Sequence, residues 1–107
     1  MPIGEWTETT TADNAAATVT HAADDDATLC HYVTSIAGSF SAAVIKLMTL
    51  KDGSTVIGNY YVNERFFLSF PRPIRISPGA AVELSLAASG TGGQLGAVSI
   101  TGFTARG

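Results

Sequence analysis

The stretch that decides the fold runs from residue 46 to residue 62, KLMTLKDGSTVIGNYYV. Asp52-Gly53 at its centre is the strongest short-range hairpin signal a sequence carries, and β-branched and aromatic residues flank it. A two-residue loop at that point sets Leu50 opposite Thr55, Met48 opposite Ile57 and Ile45 opposite Tyr60. Ile45, Leu47, Val56 and Tyr60 then share one face, and Met48, Leu50 and Ile57 share the other. A sheet with one solvated face alternates apolar with polar side chains. This ribbon does not, so one face fills a core and the other meets a further surface, expected to be another subunit. Met48, Leu50, Ile57 and Tyr61 are the interface anchors this reading predicts.

Moving outward, short runs of Val, Ile, Thr, Tyr and Phe are separated by Gly, Pro, Asp and Asn. That spacing is the signature of a β-sandwich or barrel. Upstream, strands are expected over 17–22 and 28–37, joined by the acidic turn Asp24-Asp25-Asp26. Downstream, strands are expected over 65–70 and 74–76, with Pro71-Arg72-Pro73 stopping the ladder between them. Residues 81–88 alternate cleanly, Val82, Leu84 and Leu86 facing inward. Residues 95–104 close the domain after a Gly90-Thr91-Gly92-Gly93 loop. No ten-residue window shows a helical period that beats the strand reading. The expected architecture is all-β, a single antiparallel β-sandwich of residues 16–107. Residues 1–15 are polar and Thr-rich, with Trp6 as an isolated large anchor, and are expected to form an N-terminal arm. Trp6 is the predicted attachment point to a neighbour or capsid.

Composition narrows the function. Only 14% of the 107 residues are charged and 46% are hydrophobic, against roughly 25% charged in an ordinary soluble domain. Such a surface favours self-association. The net charge is −3, and Lys46, Lys51, Arg65, Arg72, Arg75 and Arg106 are scattered. Nucleic-acid binding requires a positive footprint, so no nucleic-acid partner is expected. Cys30 is the only cysteine, which leaves no intrachain disulfide. The opening MPIGEWTETT is not a signal peptide, and no apolar run approaches the ~20 residues of a membrane helix, so no membrane partner is expected.

Catalytic and metal-binding patterns are not found. Cys30 and His31 adjoin, but neighbours on a strand point to opposite faces and cannot form a dyad. A hairpin centred on Asp26 would set His21 opposite His31, giving two metal ligands without a third. Asp24-Asp25-Asp26 lacks the spaced acids and glycine of an EF-hand loop. Gly90-Thr91-Gly92-Gly93 lacks the lysine of a P-loop. Glu64 and Glu83 are not placed as an acid–base pair. The expectation is a protein that is not an enzyme and carries no cofactor.

Four stretches carry a resemblance: HYVTSIAGSFS (31–41), KLMTLKDGSTVIGNYYV (46–62), FLSFPRPIRISPGAAVELSLAASGTGG (67–93) and GAVSITGFTA (96–105). Together they resemble small β-sandwich structural proteins of tailed phages, over roughly residues 29–104. The resemblance implies a jelly-roll-like virion protein, made in the host cytoplasm, that decorates and cements the capsid as a homotrimer on the major capsid protein. The competing expectation is a carbohydrate- or receptor-binding β-sandwich of a tail fibre or baseplate. Trp6, Tyr60, Tyr61, Phe66 and Phe67 are its candidate sugar-contacting aromatics.

Overall fold

The computed structural model describes residues 4–26 and 28–106. Among them lie eight strands: β1 (Gly4–Asp13), β2 (Ala17–His21), β3 (Leu29–Phe40), β4 (Ile45–Asp52), β5 (Thr55–Asn63), β6 (Arg65–Arg75), β7 (Val82–Leu86) and β8 (Leu95–Arg106). Their order is β1-β8-β3-β6 in one sheet and β5-β4-β7-β2 in the other, with every pairing antiparallel. The sheets touch through the ladder only at the β5–β6 corner, Asn63↔Arg65. Glu64 turns that corner with φ at 63°. This is the strand order of an eight-stranded jelly roll, and the expected all-β sandwich is what the chain forms.

Alternation explains the core. Gly96, Val98, Ile100, Gly102 and Thr104 of β8 are buried in an unbroken period of two. Val82, Leu84 and Leu86 of β7 face them across the sandwich, as their spacing predicts, with Ala17, Val19, Met48, Leu50 and Val62 completing that layer. β3 needs a correction to its phase. Uninterrupted alternation would put His31 and Val33 on one side and Ile36 and Phe40 on the other. A β-bulge between Val33 and Ser35 inserts one residue relative to β8. Val33, Ile36 and Phe40 all join the core as a result. The inserted Thr34 ties its hydroxyl to the Thr101 carbonyl at 3.0 Å.

The hairpin also departs from its expected register. Asp52 stays in β4, paired with Thr55 and with Val82 of β7, so the loop residues are Gly53-Ser54. Two contacts hold Asp52 there. Its carboxylate accepts the Ser77 hydroxyl at 2.7 Å and the Ser77 amide at 3.1 Å. Gly53, at φ 61°, donates its amide to Ala81 at 2.8 Å. A bulge beside Leu50 then shifts the ladder again, and Met48 faces Tyr60 while Leu47 faces Tyr61.

Two further expectations are overturned. Pro71-Arg72-Pro73 does not end a strand, because β6 lies at the margin of its sheet, where a missing N–H costs no ladder bond. Residues 70–73 bow out opposite the bulge in β3, and pairing resumes at Val33↔Ile74. The N-terminal segment is not an arm. Gly4 through Asp13 pair residue for residue with Thr104 through Leu95. The polar Thr-rich pattern that suggested an arm is that of a strand at a sheet margin, with Glu5, Thr7, Thr9 and Thr11 outward and Trp6, Glu8, Thr10 and Ala12 inward. Residues 1–3, the remainder of the stretch before Gly4, lie outside the described residues.

Trp6 fits because its ladder partner is Gly102. A Cβ at Gly102 would meet the Tyr32 carbonyl oxygen and come within 2.7 Å of the Trp6 ring. Gly102→Ala is therefore expected to destabilise the domain by about 1–3 kcal/mol, measured by urea unfolding. Deleting residues 1–13 should lower the melting temperature by more than about 10 °C, the shift that roughly 2 kcal/mol produces in a domain of this size.

Candidate functional site

Of the four predicted interface anchors, the structure separates two from two. Met48 and Leu50 are fully buried in the core and present nothing to a partner. Their face of β4 is the inward one, shared with Leu84 and Leu86 of β7, and the change of register sets Tyr60 rather than Ile57 opposite Met48. Ile57, beside the bulge, and Tyr61 remain exposed, Tyr61 at 73%. On the outer face, Leu47 pairs with Tyr61, and Ile45, 62% exposed, follows two residues along. Val56 and Ile57 are exposed nearer the loop, separated from Leu47 and Tyr61 by the polar pair Thr49↔Asn59. Beyond Leu47 the outer face turns polar. Thr18 and Ser85 share a hydrogen bond of 2.8 Å, and Lys51 meets Glu83 at 3.7 Å.

The second cluster lies at one end of the sandwich. Trp6, expected to be a free anchor, is turned inward and packs half-buried against the core. His21 and His31 do meet, but not across a hairpin, because β2 pairs with β7 and β3 with β6 and β8. Their rings lie 4.5 Å apart, edge to face, and Trp6 stacks on His21 at 4.1 Å. The polar atoms form a directed chain. An indole N–H can only donate and a carbonyl can only accept. Trp6 Nε1 therefore donates to Thr104 Oγ1 (3.1 Å), and His31 Nε2 donates to the Ala22 carbonyl (2.7 Å). Thr104 Oγ1 lies 2.7 Å from His31 Nδ1, and with the ring proton on Nε2 the threonine hydroxyl is the donor of that hydrogen bond. His21 Nδ1 donates to the Glu8 carboxylate at 2.8 Å. These groups fasten β1, β8 and β3 to the segment leaving β2.

The remaining sequence candidates form no site. Cys30 is buried on β3, on the face opposite His31. The acidic turn is stitched to itself: Asp24 accepts the Asp26 amide, and Asp26 Oδ1 accepts the hydroxyl and amide of Thr28. Those Thr28 hydrogen bonds hold the exposed Asp26 carboxyl below the usual range for aspartate. Among the described residues no three His, Cys, Asp or Glu side chains are grouped to hold a metal ion.

A third feature was not singled out from the sequence. The outward positions of β3 and β8 carry only small side chains over a long stretch: Ser35, Ala37 and Ser39 beside Thr101, Ser99 and Ala97. Thr9 of β1 flanks this floor on one side, and Phe67 and Arg65 of β6 flank it on the other. The result is a groove of about 340 Å³ across the outer face of the β1-β8-β3-β6 sheet. Phe67, 71% exposed, is its aromatic wall. The signal was present as a stretch of two strands, 35–39 and 97–101, whose alternate outward positions are all Ser, Thr or Ala.

No family model and no curated protein matches the chain. Among solved structures it is similar to the insecticidal delta-endotoxin Cry8Ea1 from Bacillus thuringiensis, with a TM-score of 0.56 and 14% identity. The match covers 94% of this chain and 20% of the toxin. At that identity the likeness speaks for the fold alone.

Thr104→Val keeps the shape of the buried side chain while stranding Trp6 Nε1 and His31 Nδ1. It is expected to cost about 1–3 kcal/mol, read by thermal or urea unfolding. Imidazole nitrogen shifts at neutral pH should place the His31 proton on Nε2. The melting temperature should be the same with and without a chelator, since among the described residues no three metal-ligating side chains come together.

Proposed function

We propose that this chain is a structural protein of a phage particle, a decoration protein that binds the head surface as a homotrimer and stabilises it. The observation that carries this reading is the exposed pair Ile45 and Tyr61 with the half-buried Leu47 on the outer face of β4–β5, and Val56 and Ile57 exposed nearer the loop. A domain with 14% charged residues that leaves several large apolar side chains exposed on one hairpin is suited to meet another surface. The jelly-roll strand order agrees with the resemblance to virion β-sandwiches carried by residues 31–41, 46–62, 67–93 and 96–105. Of the side chains raised as chemical candidates, His21, His31, Asp24 and Asp26 are engaged in structural hydrogen bonds. On a particle, many copies with modest individual affinity act through avidity.

Sedimentation at micromolar concentration is expected to show a trimer. A sole species of 11.0 kDa would count decisively against self-assembly. Tyr61→Ala should weaken association by at least about 1–2 kcal/mol if it lies centrally in the contact, without lowering the stability of the single domain. Purified heads lacking the protein should bind it and become harder to disrupt. Absence of binding to heads, with the trimer intact, would refute the decoration role and leave the assembly reading standing.

A further inference from the structure

The groove across the β1-β8-β3-β6 sheet is separate from the exposed apolar side chains on β4–β5, and its chemistry differs. Two cross-strand rows build it: Thr9, Ser99, Ala37 and Phe67 in one, and Ala97, Ser39 and Arg65 in the next. We propose that this groove is a binding site for an acidic saccharide, its pyranose face lying on Phe67 and its carboxylate on Arg65.

Three properties select that class of ligand. The volume, about 340 Å³, falls at the lower end of small-molecule sites, which run to about 300–1,000 Å³. The floor strands β3 and β8 are each paired on both sides, so their backbone donors and acceptors are spent. An extended peptide, which binds by adding a strand to a free edge, has nothing to pair with there. A ligand must instead bring its own polar groups to short hydroxyls. Ser39 and Ser99 line the floor, and Thr9 is fixed by donating to the Val98 carbonyl at 3.0 Å. Finally, Arg65 forms no ion pair among the described residues, and its guanidinium suits a planar carboxylate. An apolar C–H face beside hydroxyls and one carboxylate describes a uronic or sialic acid. A polyphosphate or nucleic acid requires more cations than this one. The site rests on strands, which hold its geometry more tightly than loops would.

The test is titration of labelled full-length protein with oligogalacturonate and sialyllactose, each against its neutral counterpart, maltooligosaccharide and lactose. Amide shifts at Ala37, Ala97 and Ser99 should saturate with an acidic saccharide at about 10 mM, ten times a 1 mM Kd. The neutral sugars should bind about tenfold more weakly. Phe67→Ala should abolish the shifts, and Arg65→Gln should reduce affinity for acidic sugars about tenfold while leaving the neutral ones unchanged. Both residues are exposed, so both variants should melt as the parent does. No shift with any saccharide overturns the proposal, as does equal binding of acidic and neutral sugars. Shifts at the same residues that grow with protein concentration alone would give the groove to a second copy, and that too overturns it.

Discussion

The single extra residue at Thr34 is the constraint on which the rest of the sandwich depends. β3 lies between β8 and β6 in its sheet, so its inward set decides what the second sheet packs against. A strand in strict alternation could supply Val33 or Ile36 to the core, not both. The bulge supplies both, and does so at little cost because the Thr34 hydroxyl finds the Thr101 carbonyl. β6 answers by bowing out over residues 70–73, where two prolines ask for no ladder partner. The same phase change turns Ser35, Ala37 and Ser39 outward together. The smooth floor of the groove is thus the outer consequence of a correction made for the core.

The N-terminal strand is held by a different kind of interaction. Its outward side chains are threonines and a glutamate, with little apolar area to bury. Inward, Trp6 lies on Gly102 and ends a hydrogen-bond chain through Thr104 and His31 to the Ala22 carbonyl. Each link is a buried or half-buried polar group whose partner is also polar, and removing one strands the next. Hydrophobic burial assembles the two sheets, and this directional chain decides where β1 and the exit of β2 sit on them.

Much of the fold was legible in the sequence because period-two alternation is strong where a strand is regular. Val82, Leu84 and Leu86 show this, as do Val98 and Ile100. The misreadings occur where the period breaks. Neither bulge has a sequence signature: Thr34 is an ordinary strand residue, and the shift beside Leu50 depends on Asp52 being drawn to Ser77, which is distant in sequence. Met48 and Leu50 belong to the core because they align with Leu86 and Leu84 of β7, a pairing that a hairpin apolar on both faces does not reveal. Trp6 was misjudged because its partner Gly102 lies almost a chain length away, and local composition cannot reveal a pairing of that range. Phe67 was recognisable as an aromatic, but the floor beside it emerges only when Ala37 and Ser99 are known to be neighbours.

The pairing of the first strand with the last has a kinetic consequence. Closing the ladder from Gly4↔Thr104 to Asp13↔Leu95 brings together segments from opposite ends of the chain, and the loop entropy is lost before those contacts give any return. During synthesis, β1 emerges with its inward Trp6 and has no partner until β8 leaves the ribosome. Meanwhile its row of threonines, with Glu5 and Glu8, keeps it soluble and poor at pairing with strange edges. The polar character that makes this segment look like a loose tail is what lets it wait.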